Sequence, residues 1–206
     1  MRGISWTPTL LLALTMFLFI CMASINFSVL LPLVASDTLR SGAEVYGALT
    51  ACFGLGALIG ALISASLGRA TWRILLLSAA AFGLGELILA PQRTVAGALV
   101  LLLATGVAYT LYTSNTNSLV QLAAPPRLQG RIAGLYSYIF AGTSPLGALI
   151  AGGLAERGGT ELAFAFAGAT ALTFAVSGAI VRRRGQGRGS ARPAEPARPE
   201  EPARWA

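Results

Sequence analysis

Long apolar runs alternate with short polar breaks along the chain, at about residues 8–34, 45–67, 72–90, 94–123, 130–155 and 162–181. A helix needs about 20 apolar residues to cross the hydrocarbon core, so the runs predict six membrane helices. The breaks are as telling as the runs. In QLAAPPRLQGR, Pro125 and Pro126 cannot continue the preceding helix, and Arg127 and Arg131 would be costly in hydrocarbon, so the chain must surface there. The first run follows Arg2 and has a signal peptide as its rival reading. It extends well past the ~7–15 residues of a signal core and has no clean small-x-small cleavage site, so it is read as helix one.

Composition reinforces this all-helical, polytopic picture. Of 206 residues, 55% are hydrophobic and 11% charged, with a mean hydropathy of +0.69. All 15 basic residues are arginine, giving a net charge of +7, and histidine is absent. The lack of histidine excludes the usual His-based metal sites and the Ser-His and Cys-His catalytic pairs. No cofactor or metal is expected, and no helix carries the carboxylate pair that an intramembrane enzyme would need. The arginines sit at the ends of apolar runs, where they set topology rather than bind nucleic acid. Cys21 and Cys52 lie within runs and read as small hydrophobes.

Arginine bias orients the bundle. Arg2, Arg69, Arg73, Arg127, Arg131 and Arg182, Arg183 and Arg184 fall on one side, against Arg40, Arg93 and Arg157 on the other. The positive-inside rule then predicts an inner-membrane protein with both termini in the cytoplasm. Residues 185–206, rich in Pro, Arg and Glu, predict a disordered cytoplasmic tail.

An internal echo accompanies the layout. Gly60-Ala61-Leu62-Ile63 in the second run recurs as Gly147-Ala148-Leu149-Ile150 in the fifth. One tetrapeptide is easily chance in an Ala/Gly/Leu-rich chain, but this offset carries helix two onto helix five, as a three-plus-three inverted repeat requires.

Three segments carry a family resemblance: NFSVLLPLVA at 26–35, YGALTACFGLGALIGA at 46–61 and NSLVQLAAPPRLQGRIAGLYSYIFAGTSPLGALIAG at 117–152. The chain resembles the carboxy-terminal six-helix half of a major facilitator superfamily transporter, of the enterobactin-exporter-like and macrolide or multidrug efflux group. The last segment is the most specific, with Gln121, Pro125, Gly130 and Arg131 matching the pattern that ends the fourth helix of the half and opens the fifth. Gly142, Pro145, Leu146 and Gly147 match the Gly-x-x-Pro-Leu-Gly element. One departure is Gly68, which stands where the family's loop between helices two and three carries an acidic residue before its basic cluster.

The resemblance implies half of a two-half facilitator fold. Its function would be efflux of small amphipathic molecules, as a proton-coupled antiporter working by alternating access. A second six-helix half, identical or different, is implied as partner, because the substrate site of this architecture lies at the midplane between halves. The alternatives are a non-transporting six-helix membrane protein and a truncated transporter remnant.

Polar residues inside the runs are the candidate site. Asn26, Tyr109, Tyr112 and Asn115 are substrate-path candidates, with hydrogen-bonded glue between helices as the plain alternative. Asn117 and Gln121 share a helix face and are read as tying helix ends to the loop. Glu86, the one acidic residue within a run, is the proton-coupling candidate, although its place near a helix end also allows it to reach the outer interface. Arg69, Arg73, Gln121, Arg127, Gly130 and Arg131 are read as loop and gating residues, and orientation alone explains the arginines equally well. Gly142, Pro145 and Gly147 are read as a bend in helix five, against a mere packing kink.

Overall fold

The computed structural model describes residues 8–24 and 26–189. These residues form α1 (Pro8–Ser24), α2 (Phe27–Leu33) running into one π turn (Val34–Thr38), α3 (Ala43–Leu67), α4 (Trp72–Leu89), α5 (Val95–Ala123) and α6 (Gln129–Gly189). A short 3₁₀ turn, Pro126–Leu128, precedes α6. Arg2 and the tail residues 190–206 lie outside the described residues, whereas 185–189 continue α6.

Among the described residues, five stretches are long and apolar enough to cross a membrane. The last, Gln129–Arg183, has 55 residues and would extend about 80 Å if straight, against a hydrocarbon core of about 30 Å. It is not straight. The backbone leaves helical dihedrals at Gly158 and Gly159, whose φ of 71° lies in the left-handed region that suits glycine. The two arms, 129–157 and 160–189, are therefore separate helices joined at a glycine corner.

The first apolar run is also divided. Asn26 takes φ −114° and ψ 37°, outside the helical range, and its side-chain Nδ2 donates back to the Met22 carbonyl at 3.1 Å. Its own carbonyl accepts from the Val29 and Leu30 amides, opening α2. Asn26 thus supplies partners on both sides of the break it occupies, which is what makes a broken helix tolerable in a membrane.

Local signals fix the other ends. Gly68, at φ 61°, stops α3. Thr71 and Thr94 cap α4 and α5 by accepting from the Ile74 and Gly97 amides, each at 3.3 Å.

Packing follows the small residues. Gly56 and Gly60 of α3 meet the backbone of α5 at Leu103 and Val107, and Gly106 of α5 meets the α3 backbone at Phe53. Gly147 of the first arm meets Met22 of α1 and Asn26 at the break that follows it. Gly83 of α4 and Gly168 of the second arm each face the other's carbonyl. α1 reaches the second arm through Phe19 stacked on Phe174, and through the Ser24 hydroxyl donating to the Ala167 carbonyl. Exchanging α1 with α5, α3 with the first arm, and α4 with the second arm maps α3–α5 onto the first arm against α1, and α1 against the second arm onto α5 against α4, where Gly85 meets Thr105. The two Gly-Ala-Leu-Ile copies fall on equivalent contacts, one against α5 and the other against α1, so the tetrapeptide echo marks a repeat of packing. In lipid such close approach stands in for the hydrophobic drive between helices.

Candidate functional site

The polar half of α5 divides between two faces. Tyr112, Asn115 and Thr116 are buried, while Tyr109, Thr113 and Asn117, spaced by four, lie on a face that is half-exposed. That second face and the first arm of α6 border a shallow, open recess of about 240 Å³ lined by Tyr109, Thr113, Ser114, Asn117, Tyr136 and Phe140. None of these residues is charged.

The recess is held by aromatic packing beneath it. Tyr136 stacks on Phe17 of α1 at 4.2 Å between centroids, and its hydroxyl donates to the Thr113 carbonyl at 3.1 Å. This bond ties the first arm to α5. Phe53 and Phe82 flank Tyr109 at 5.5 and 5.8 Å. The result is an apolar floor with hydroxyl and amide groups at its rim, the lining expected for a small molecule with both apolar and polar parts.

Of the four residues expected on a substrate path, Tyr109 opens onto this recess. Asn26 is buried against Gly147, and Tyr112 is enclosed near Phe17 with its hydroxyl unpartnered among the described residues. Asn115 is buried toward the far side of α5, where its Nδ2 donates to Leu111 O at 3.1 Å and its Oδ1 accepts from the Thr71 amide at 3.3 Å. It thereby ties the loop before α4 to α5. Thr113, Ser114, Tyr136 and Phe140 were not picked out from sequence. The signal for Thr113 was present, because stepping by four from Tyr109 gives Thr113 and then Asn117, whereas stepping by three leads inward to Tyr112 and Asn115.

Glu86 does not reach the outer interface. It is fully buried, one turn beyond the Gly83–Gly168 crossing and beside Ser24, whose hydroxyl donates to the Ala167 carbonyl rather than to the carboxyl; among the described residues neither carboxyl oxygen has a hydrogen-bond partner. A buried ion in that position would be strongly destabilising, and an intramembrane carboxyl with no structural partner is a functional candidate by default.

The loop candidates gather at the arginine-rich end. Arg69, Arg73, Arg127 and Arg131 are exposed, and Gly130 faces open space. Gln121 donates to Asn117 Oδ1 at 2.8 Å and, with Arg69 and Asn115, lines a separate cavity at that end. In the first arm the backbone stays helical through Gly142, Pro145 and Gly147. Its departure from helical dihedrals comes at Gly158 and Gly159 instead.

At the opposite end, Arg93 pairs with Glu161 across the glycine corner, and the Thr38 and Thr160 hydroxyls share a hydrogen bond of 2.6 Å.

The fold and its uncharged recess define a polytopic helical membrane protein. Residues 5–198 match the transmembrane secretion effector family of the major facilitator type. The chain belongs to that family, which is a family of transporters rather than enzymes. No curated protein and no solved structure matches the chain.

Proposed function

We propose that this chain forms one six-helix half of a secondary transporter that exports small amphipathic molecules by proton-coupled alternating access. The recess between α5 and the first arm carries the reading. At about 240 Å³ it falls below the ~300–1,000 Å³ of complete small-molecule sites, as one wall of a site shared with a second half would. Its aromatic floor and hydroxyl rim favour an amphipathic substrate. Glu86 is the proton carrier in this scheme, because a carboxyl sealed between helices can exchange its proton only when they part and admit water. Asn26 and Gly147 are the packed joint between the first apolar run and the first arm, with Gly142 and Pro145 as the bend beside it, and the exposed arginines hold the cytoplasmic face.

The test is accumulation of a panel of fluorescent amphipathic dyes in cells of an efflux-deficient host expressing the full chain. Export is expected to lower accumulation of at least one dye, to collapse with a protonophore, and to be lost in Tyr136→Ala. Glu86→Gln is expected to abolish the response to the protonophore. Two differently tagged copies, purified together, report whether the second half is identical. A chain that exports no dye and purifies as a monomer would instead be the non-transporting six-helix protein.

A further inference from the structure

The cavity at the arginine-rich end is separate from the recess and has a different chemistry. It encloses about 810 Å³ and is lined by Arg69, Ser64, Asn115, Ser118, Gln121 and Gln129, among others. Among the described residues, Arg69 is the one charged residue of the lining, and no carboxylate takes part. The described carboxylates other than buried Glu86, namely Asp37, Glu44, Glu156 and Glu161, all belong to the opposite end of the bundle.

The segment that presents Arg69 is fixed rather than loose. Gly68 turns in the left-handed region, the Arg69 amide donates to Leu67 O at 2.7 Å, and the Thr71 amide donates to Asn115 Oδ1. α4 begins directly afterwards at Trp72, so the positive end of its dipole adjoins the cavity. Asn115 and Gln121 each commit one amide N–H within α5, leaving a second N–H on each. The cavity therefore gathers a guanidinium, two hydroxyls and several amide donors, with no carboxylate among the described residues facing the charge. That donor set suits a phosphate.

The surroundings favour a phosphate that arrives on a lipid. Leu122 in the lining is 75% exposed, and Leu67, one turn beyond the lining residue Ser64 on α3, is 46% exposed. Exposed leucines of two membrane helices thus border the mouth of a polar, cationic cavity, where acyl chains attached to a bound headgroup would leave it.

We infer that this cavity binds the phosphate headgroup of an anionic phospholipid, with Arg69 as its charged anchor. One arginine near a membrane surface is worth about five-fold in binding to anionic lipid. The protein's own charge elsewhere attracts such lipid less selectively.

The experiment is native mass spectrometry of the purified full chain in detergent, titrated separately with phosphatidylglycerol and phosphatidylcholine. Wild type is expected to retain phosphatidylglycerol about five-fold over phosphatidylcholine. Arg69→Gln is expected to bring the two to parity, Arg69→Lys to keep part of the preference, and Arg93→Gln, at the opposite end, to keep all of it. Gln129→Leu, at an exposed lining position, is the second loss variant should Arg69→Gln fail to give monodisperse protein, and it lowers the preference by a smaller step. An undiminished preference in monodisperse Arg69→Gln overturns the inference. So does equal loss of preference in Arg93→Gln, which would show attraction by net charge. Displacement of phosphatidylglycerol by millimolar inorganic phosphate alone would mark a free-phosphate site and overturn the lipid assignment.

Discussion

Gly83 and Gly168 face each other where α4 crosses the second arm of α6, and Gly83→Ala tests whether that crossing is as close as described. A Cβ at position 83 would lie 2.8 Å from the Gly168 carbonyl oxygen, 2.9 Å from Ala171 Cβ and 3.1 Å from the Leu172 amide. Ordinary carbon contacts begin near 3.5 Å, so the helices must part by roughly 0.6 Å. Two of the three atoms are backbone and cannot rotate away. Overpacking of this kind costs about 1–3 kcal/mol. Alanine also regains about 0.5–1 kcal/mol of helix preference over glycine, so the variant needs a control with the same gain and no clash. Gly54→Ala on α3 is that control, since Gly54 is exposed and a Cβ there meets nothing within 4 Å. Reversible unfolding by SDS, followed by far-ultraviolet circular dichroism, should place Gly83→Ala about 1–3 kcal/mol below Gly54→Ala. If the two are equally stable, the crossing is looser than the structure describes and the enclosure of Glu86 one turn away loses its basis.

The same titration reads two further variants. Asn26→Ala removes the amide that supplies the Met22 carbonyl at the α1–α2 break and should cost about 1–3 kcal/mol, the range for leaving a buried polar group unpaired; no loss would mean the break is held by something else. Arg93→Gln should change stability by less than about 1 kcal/mol, because its partner Glu161 is 45% exposed and Arg93 itself 67% exposed. A larger loss would show that the pair, together with Thr38 and Thr160, clamps the outer ends of the bundle.

The polar strip of α5 shows where sequence reasoning reached its limit. Tyr109 sits on two diagonals of a helix surface, one through Tyr112 and Asn115 and the other through Thr113 and Asn117. Residue type alone favours the first, with its larger aromatic and amide groups. Which diagonal faces a neighbour is settled by the neighbours themselves. α1 and α4 cover the first, and the first arm approaches the second only closely enough to let Tyr136 bond Thr113. Glu86 teaches a similar lesson, since its distance from the helix end suggested an exit to the interface, and the α4–second arm crossing closes that exit.

What the sequence determined by itself was the class of protein and the course of the chain. Apolar runs of membrane-crossing length leave no other solution for their backbone groups than helices, and prolines, glycines and arginines mark where those helices end. Only the tertiary structure decided which face of each helix is enclosed, because in lipid both faces are apolar and the usual inside-outside signal fades. Contact then depends on where glycines let two backbones meet, as at Gly56 and Leu103 or at Gly147 and Met22, and that is a property of pairs of helices.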